Sequence, residues 1–292
     1  MQSVALIYQP RLAEARRLAE RCAKVVEAEG YQPRLESAWE LGPSLDRSDV
    51  RLAVALGGDG TIIRAARWLA GTGTPILGVA LGKLGVLTEL PPEAVCEKLP
   101  AVLAGSYWRD ERLMLSATIE RVPRAAVVDE TGLQGDDSGE VVDDPPLIAL
   151  NDVVVARGAS PRVAHIDVRV DGIPLVRYVA DGVIVATPTG STAYALAAGG
   201  PVLAPGVEGL VLVPVAPHLA VLRSLVLPVS ARVELRASSE QPPVLVLDGQ
   251  EQVPLGDDQA VVVEVARERT VFARLGSPAR FYETLVESLK KR

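Results

Sequence analysis

An uninterrupted apolar run ends directly on a glycine-rich turn, and this junction constrains the fold of the chain more than any other feature. Residues 52–56 read Leu-Ala-Val-Ala-Leu, and Gly-Gly-Asp-Gly-Thr follows at residues 57–61. A short run that is apolar at every position is typical of a strand buried on both faces of a parallel sheet. Residues 61–69 then have apolar spacing compatible with a helix. The junction therefore predicts a strand, a tight turn and a helix.

The same alternation extends over the rest of the N-terminal region. Apolar β-prone runs at residues 4–8 and 75–80 predict strands, and helical spacing of apolar residues marks 12–26 and 92–103. Alternating strands and helices imply a parallel sheet with helices on its faces. We therefore expect an α/β domain over residues 1–106, with ligands at the carboxyl edge of its sheet.

The pattern changes near Trp108, where short β-prone runs separated by Gly, Pro and Asp turns begin. These runs lie at residues 113–119, 148–156, 163–170, 183–186, 210–215, 231–235, 244–247 and 261–265. They predict a mostly antiparallel all-β domain over residues 107–270. Within it, acidic residues greatly outnumber basic residues between 123 and 146, which predicts a mobile, solvated loop.

The closing segment, residues 271–292, has the pattern of an amphipathic helix. Phe281, Leu285 and Leu289 lie on one face, and a basic end follows. We expect this C-terminal helix to pack back on the N-terminal domain.

Composition excludes several classes of partner. The net charge of −7 and an aromatic content of 4% argue against nucleic acid as a ligand. The two cysteines form no Cys-x-x-Cys pair, so a disulfide framework or zinc site is not expected. No signal peptide and no apolar run of membrane-spanning length are present, which predicts a soluble, cytoplasmic protein without a membrane partner.

The first glycine-rich segment has the properties of a phosphate site with an added carboxylate. Gly57, Gly58 and Gly60 have no Cβ atoms to hold a phosphate away from the backbone, and the following helix presents free N–H groups. Asp59 disfavours an anion, so it needs another task, such as accepting a proton or orienting a metal. A plain strand-to-helix turn is the alternative interpretation. Neither a P-loop nor the standard dinucleotide fingerprint is present.

A second segment follows the predicted strand at 183–186. Residues 187–194 read Thr-Pro-Thr-Gly-Ser-Thr-Ala-Tyr. The hydroxyl groups of Thr189 and Thr192 suit ribose and base edges, and the Tyr194 ring offers a surface for a planar group. Taken alone, a stretch rich in Ser, Thr and Gly is more often a turn.

Together the two segments resemble the paired motifs of the NAD kinases, which they match residue for residue. The likeness extends through residues 78–88, 151–152, 162–165, 217–218 and 248–250. It implies phosphorylation of the 2′-hydroxyl on the adenosine ribose of NAD by ATP, giving NADP, with a divalent metal such as Mg²⁺. It also implies a homodimer or homotetramer. The two histidines are too few for a His-rich metal site, so we expect no metal ligands from the protein itself.

The resemblance also implies roles for single residues. Asp59 would be the general base, Arg64 would reach phosphate, Asn151 and Asp152 would hold a ribose of NAD, and Asp181 would accept from the nicotinamide amide. Further contacts with the nucleotides fall to Gly57, Gly58, Gly60, Thr61, His165, Thr189, Thr192, Ala193, Tyr194, Ala216 and Gln250.

Four positions depart from the pattern of the family. Ala80 replaces the usual asparagine, Val86 an aromatic residue, Asp152 the usual glutamate and Val179 a basic residue. Two other functions are compatible with parts of the sequence. Lipid and sugar kinases share the Gly-Gly-Asp-Gly segment but lack the second motif, and a non-catalytic NAD(P)-binding regulator would have the same pocket.

Overall fold

The fold was analysed in a computed structural model that describes residues 2–82, 85–121, 140–141, 145–159, 162–218 and 222–290. The chain divides into two compact units. The first comprises residues 1–112 and 268–292, and the second comprises residues 113–267. No helix in the described ranges is long and apolar enough to cross a membrane.

The first unit contains a parallel sheet with helices between its strands. Its elements in chain order are β1 Ser3–Tyr8, α1 Ala13–Ala28, β2 Gln32–Ser37, β3 Val50–Gly57, α2 Asp59–Trp68, β4 Pro75–Ala80 and α3 Val95–Leu103. The strand order is β4-β3-β1-β2, and every neighbouring pair is parallel. The carboxyl ends of these strands therefore meet at one edge of the sheet, where the glycine-rich turn follows β3.

Burial explains why the N-terminal region forms this sheet. Every residue of β4 is buried, and β3 has one exposed position, Arg51. The buried stripe of α1 packs on the same face as α3, where the thiols of Cys22 and Cys96 lie 3.8 Å apart. Strand β2 has a polar sequence that did not predict a strand. It lies at the edge of the sheet, where Pro33 is tolerated because only one side of the strand is paired.

The second unit consists of antiparallel strands. In chain order the elements after α3 are β5 Trp108–Arg121, β6 Glu140–Val141, β7 Leu147–Ala149, β8 Asp152–Ala156, β9 Ala164–Val170, β10 Ile173–Ala180, β11 Gly182–Ala186, a 3₁₀ turn Gly190–Thr192, α4 Tyr194–Ala197, β12 Gly209–Val215, β13 Leu225–Pro228, β14 Val233–Ser238, β15 Val244–Leu247, β16 Glu251–Pro254, β17 Gln259–Arg274 and α5 Arg280–Lys290. The chain passes between the units within β5 and β17.

Six of these strands form a sheet with the order β13-β12-β11-β8-β15-β16, which is antiparallel throughout. Alternation along β8 sends Val153 and Val155 into the core of the unit. Asp152, Val154 and Ala156 lie on the opposite face, where α4 packs. The parallel α/β region and the mostly antiparallel β region confirm the expected fold class.

The C-terminal helix forms as predicted and belongs to the first unit. Arg280, its first residue, donates to the carboxylate of Glu89. The end of β17 also joins this unit, because Val271 and Phe272 pair in parallel with β4.

Several local expectations differ from the structure. The predicted strand at 148–156 is two strands, β7 and β8, separated by Leu150 and Asn151. Strands β10, β13 and β16 were not predicted. Most of the expected acidic loop, residues 123–139 and 142–144, lies outside the described residues, and Glu140–Val141 within it pairs with β5.

Candidate functional site

The glycine-rich turn of the first unit joins β3 to α2. Gly57 ends the strand, and a Cβ atom at this position would stand 2.2 Å from the hydroxyl oxygen of Thr61. Gly58 is exposed, has extended φ and ψ angles of −120° and −170°, and would have nothing within 4 Å of an added Cβ atom. Internal packing therefore requires glycine at position 57. At position 58 the missing side chain leaves open space at the N-terminus of α2, where a phosphate would bind.

Asp59 is the first residue of α2, and its carboxylate faces a loop that follows β4. Its Oδ1 accepts a hydrogen bond of 3.3 Å from the N–H of Leu87. Gly85 lies so close that a Cβ atom there would be 2.2 Å from the same oxygen. Burial raises the pKa of Asp59, while the N–H groups of Leu87 and Val86 and the charge of Arg274 oppose this rise. A carboxylate with a raised pKa is suited to accept a proton near neutral pH.

The other candidates of this segment lie in the first turns of the same helix. Gly60 is exposed, and Thr61 is buried with its N–H directed to the carbonyl of Gly58. Arg64 is half-buried, one turn further along α2. Gly78, in the neighbouring strand β4, allows α2 to pack closely, since a Cβ atom there would be 2.6 Å from Ile62.

The second unit contains a cavity of about 320 Å³ on the face of β8 that α4 covers. Its lining includes five residues that the sequence had singled out, namely Asn151, Asp152, Asp181, Ala193 and Tyr194. The sequence did not assign the remaining lining residues, which are Val154, Ala156, Gly182, Val215, Val246, Asp248 and Gly249. Apolar walls with a few convergent polar groups are typical of small-molecule sites.

Asp248 organises the start of β8. Its carboxylate accepts hydrogen bonds from the N–H groups of Leu150 at 3.0 Å, Asn151 at 2.7 Å and Asp152 at 3.2 Å. Asp248 and Gly249 both have positive φ angles, 52° and 65°, in the turn between β15 and β16. The Asp-Gly pair between two β-prone runs is a hairpin signal that could have predicted this turn. Asp248 binds the backbone of residues about 100 positions earlier in the chain, so no local pattern indicated that it belongs to the site.

Two adjacent polar side chains face this cavity. Asp152 is 4% exposed, and burial, followed by the charge of Asp248, raises its pKa to about 7. The side-chain oxygen of Asn151 is buried and has no hydrogen-bond partner within the described part of the chain. Buried acceptors are normally paired, so this oxygen suits a donor supplied by a ligand, such as a ribose hydroxyl.

Hydroxyl groups of the second motif mainly hold the loop in shape. Thr187 donates to the carbonyl of Leu150 at 2.7 Å, and Ser191 donates to that of Pro188 at 2.6 Å. The hydroxyl of Thr192 donates to the carbonyl of Thr189 at 3.0 Å, which leaves its lone pairs for a ligand. Neither Thr189 nor Thr192 lines the cavity, whereas Tyr194 does and is 46% exposed.

The remaining candidates are more dispersed. Asp181 lines the cavity, but its Oδ1 already accepts from Arg157 at 2.7 Å, an ion pair that the sequence did not predict. His165 lies exposed on β9, and Ala216 is exposed with a positive φ of 47°. Gln250 follows the Asp-Gly turn. These last three residues do not line the cavity.

A metal site formed by the protein would need several ligating side chains close together. No group of three or more His, Cys, Asp or Glu side chains in the described ranges is placed to hold a metal ion.

Comparison with known proteins gives a consistent result. Residues 40–107 match the ATP-NAD kinase N-terminal domain, and residues 150–275 match the ATP-NAD kinase C-terminal domain. The chain is 37% identical over 293 residues to the NAD kinase of Chloroflexus aggregans, covering 100% of this chain and 99% of the relative. It is 38% identical over 256 residues to the NAD kinase of Desulforamulus reducens, covering 87% and 81%.

A solved structure agrees with these relatives. The NAD kinase of Archaeoglobus fulgidus, crystallised with ATP, superposes with a TM-score of 0.75 at 26% identity, covering 99% of each chain. A parallel α/β unit with a carboxylate in its glycine-rich turn and an antiparallel unit with a cavity of about 320 Å³, together with these matches, identify a nucleotide-dependent phosphotransferase. The chain belongs to the NAD kinase family, which confirms the resemblance seen in its two motifs.

Proposed function

We propose that this protein transfers the γ-phosphoryl group of ATP to the 2′-hydroxyl on the adenosine ribose of NAD, giving NADP. The observation that carries the proposal is the carboxylate of Asp59 at the N-terminus of α2, next to the open space at Gly58. Relatives named NAD kinase align along the whole chain, which favours NAD over a lipid or sugar as acceptor.

The first unit provides the donor side of the proposed reaction. Phosphate groups approach the backbone at Gly58 and Gly60, at the positive end of the α2 helix dipole. Arg64 adds a positive charge one turn along the helix. ATP enters as its complex with a divalent cation, Mg²⁺, which is part of the donor substrate.

The cavity of the second unit provides the acceptor side. Asn151 and Asp152 hold a ribose of NAD, and Tyr194 packs on a planar ring. Asp181 accepts from the nicotinamide amide with its carboxylate, whose Oδ1 also accepts from Arg157. We assign further dinucleotide contacts on the resemblance alone to His165, Thr189, Thr192, Ala193, Ala216 and Gln250.

The chemical step moves one phosphoryl group and one proton. The ribose 2′-oxygen forms a bond to the γ-phosphorus, the bond from that phosphorus to the β–γ bridging oxygen breaks, and ADP leaves. The proton of the 2′-hydroxyl passes to the carboxylate of Asp59. Phosphoryl transfer proceeds through a loose transition state, so alignment of donor and acceptor contributes most. Proton acceptance by Asp59 contributes about 10²–10⁴-fold.

Incubation of the purified protein with Mg²⁺, NAD and ATP, followed by an NADP-specific dehydrogenase assay, tests the proposal. We expect NADP to form in proportion to ADP. ADP formation only with a diacylglycerol or a sugar would instead support the lipid or sugar kinase. Saturable binding of NAD without any turnover would support a non-catalytic regulator. Parallel reactions with NADH, and with inorganic polyphosphate in place of ATP, define the range of acceptor and donor.

We also propose that the enzyme is cytoplasmic and assembles as a homodimer or homotetramer. The free thiols of Cys22 and Cys96 are compatible with a reducing compartment. Light scattering coupled to size-exclusion chromatography measures the assembly directly, and a monomer at working concentration would contradict this part of the proposal.

A further inference from the structure

We propose that Arg274 is a positioning residue for the catalytic base, acting on Asp59 through the peptide groups of Leu87. The inference rests on the proposed role of Asp59 as the proton acceptor. It concerns residues of the first unit only, and Arg274 belongs to neither of the two motifs that identify the family.

The Leu87 backbone links the two side chains. Its N–H donates to Oδ1 of Asp59 at 3.3 Å, and its carbonyl oxygen accepts from Nη1 of Arg274 at 3.1 Å. Three parallel strands bring these groups to one edge of the sheet. Asp59 follows β3, the loop containing Leu87 follows β4, and Arg274 is the last residue of β17. A change in the position of the Arg274 guanidinium therefore moves the N–H that orients the base.

Arg274 is itself held rigidly. It is 7% exposed, its Nε donates to Asp110 at 3.0 Å, and its Nη1 lies 3.3 Å from Glu89. Glu89 also accepts from Arg280 at 3.0 Å and from two backbone N–H groups, while Arg112 binds both oxygens of Asp110 at 2.7 Å. Such a network fixes the guanidinium without needing any contribution from a ligand.

The charge of Arg274 favours an ionised base. The cluster around it contains three guanidinium groups and two carboxylates. Arg274 is the charged side chain in the described ranges whose field lowers the pKa of Asp59, against the larger rise that burial causes. Glu89 and Asp110 lie beside Arg274 and reduce its effect. The loop contributes the N–H groups of Val86 and Leu87, which act in the same direction as Arg274.

The test compares variants at Arg274 with matched variants at Arg280. Arg274→Met and Arg280→Met each remove one ion pair with Glu89, but only the first also removes the contacts with the Leu87 carbonyl and with Asp110. We expect Arg274→Met to lower kcat by roughly tenfold to a hundredfold, because a small displacement of a reacting group has this effect, with KM for NAD and ATP within about threefold. We expect Arg280→Met to keep kcat within about threefold.

The pH profile gives a readout that a merely structural role would not move. In Arg274→Met the acidic limb of the kcat profile moves to higher pH, because Asp59 loses a favourable charge. Arg274→Lys keeps the charge but not the three-way hydrogen bonding, so its acidic limb stays near that of the wild type while kcat falls. This variant also keeps the cluster charged if Arg274→Met does not fold.

Different outcomes separate this inference from the proposed function. Absence of NADP formation by the wild-type protein overturns the proposed function. If the wild type is active, two results overturn the role of Arg274 alone. One is an equal loss of kcat in the Arg274 and Arg280 variants, and the other is an acidic limb that does not move in Arg274→Met. Where only Arg274→Lys folds, a kcat within twofold of the Arg280→Lys control overturns it.

Discussion

The backbone of Gly190 lies against the carbonyl group of Asn151 so closely that a Cβ atom at Gly190 would stand 1.9 Å from that carbonyl oxygen. The carbonyl of Asn151 also accepts from the N–H of Thr187 at 2.9 Å. The second motif therefore rests directly on Asn151, the residue before β8, and its glycine is required for packing.

Gly190→Ala should destabilise the protein because backbone, not a flexible side chain, opposes the added methyl group. We expect the free energy of unfolding to fall by about 2–4 kcal/mol and the affinity for NAD to weaken as Asn151 is displaced. Chemical denaturation and calorimetric titration measure the two effects. Gly42→Ala, where an added Cβ atom meets nothing within 4 Å, is the control and should change stability by less than about 0.5 kcal/mol. Equal effects of the two substitutions would refute this account.

Gly57 and Gly58 should respond differently to alanine. At Gly57 the methyl group meets Thr61, so Gly57→Ala should lower stability. At Gly58 the site is open and the backbone is extended, so the free energy of unfolding should change by less than about 1 kcal/mol. The methyl group would still stand where phosphate approaches, and we expect kcat/KM for ATP to fall by roughly tenfold or more. Unchanged kinetics in a stable Gly58→Ala variant would argue against a phosphate at this turn.

Asp59→Asn should separate binding from chemistry. The amide cannot accept the proton of the ribose hydroxyl, so kcat should fall by about 10²–10⁴-fold while the dissociation constant for NAD stays within a few-fold. Steady-state kinetics and calorimetric titration of NAD provide the comparison. Asp46→Asn, which changes an exposed carboxylate of the same unit, should leave turnover unaffected. Near-normal turnover of Asp59→Asn would remove Asp59 from the mechanism.

Asp152 should make stability depend on pH near neutrality. Its pKa is about 7 in the folded protein, against 3.8 as the ordinary value. Between these two values the folded state binds a proton that the unfolded state lacks, so the free energy of unfolding decreases as pH rises through this window. Asp152→Asn removes the cost of ionising a buried carboxyl beside Asp248. Relative to the wild type, it should therefore gain about 2–4 kcal/mol between pH 5 and pH 8.5.

Denaturant titrations of both proteins at pH 5 and pH 8.5 measure this difference. A stability difference that is the same at the two pH values would show that Asp152 is not responsible. The same substitution should weaken NAD binding, because the ribose loses a carboxylate acceptor.

Local patterns accounted for much of the fold. Apolar runs predicted β1 and β4 to within one residue and β3 to within two, since a strand buried on both faces is apolar at nearly every position. The edge strand β2 is polar, so its sequence did not predict a strand. The predicted strand at 148–156 is interrupted at Leu150 and Asn151, because the backbone N–H groups of these two residues donate to Asp248. Pairing at an edge and capture by a distant carboxylate both depend on partners far along the chain.

The sequence by itself determined the family, the two motifs and the chemistry that Asp59 would perform, because these depend on residue types at fixed short spacings. Only the tertiary structure showed what surrounds the candidate residues. Asp248 reaches Asp152, the first residue of β8, from 96 positions away, and Arg274 reaches Leu87 from 187 positions away. Such contacts arise when strands that are distant in the chain end at the same edge of a sheet. Strand pairing buries Asp152 beside Asp248 and brings the N–H of Leu87 to Asp59. No local pattern in the chain specifies this pairing.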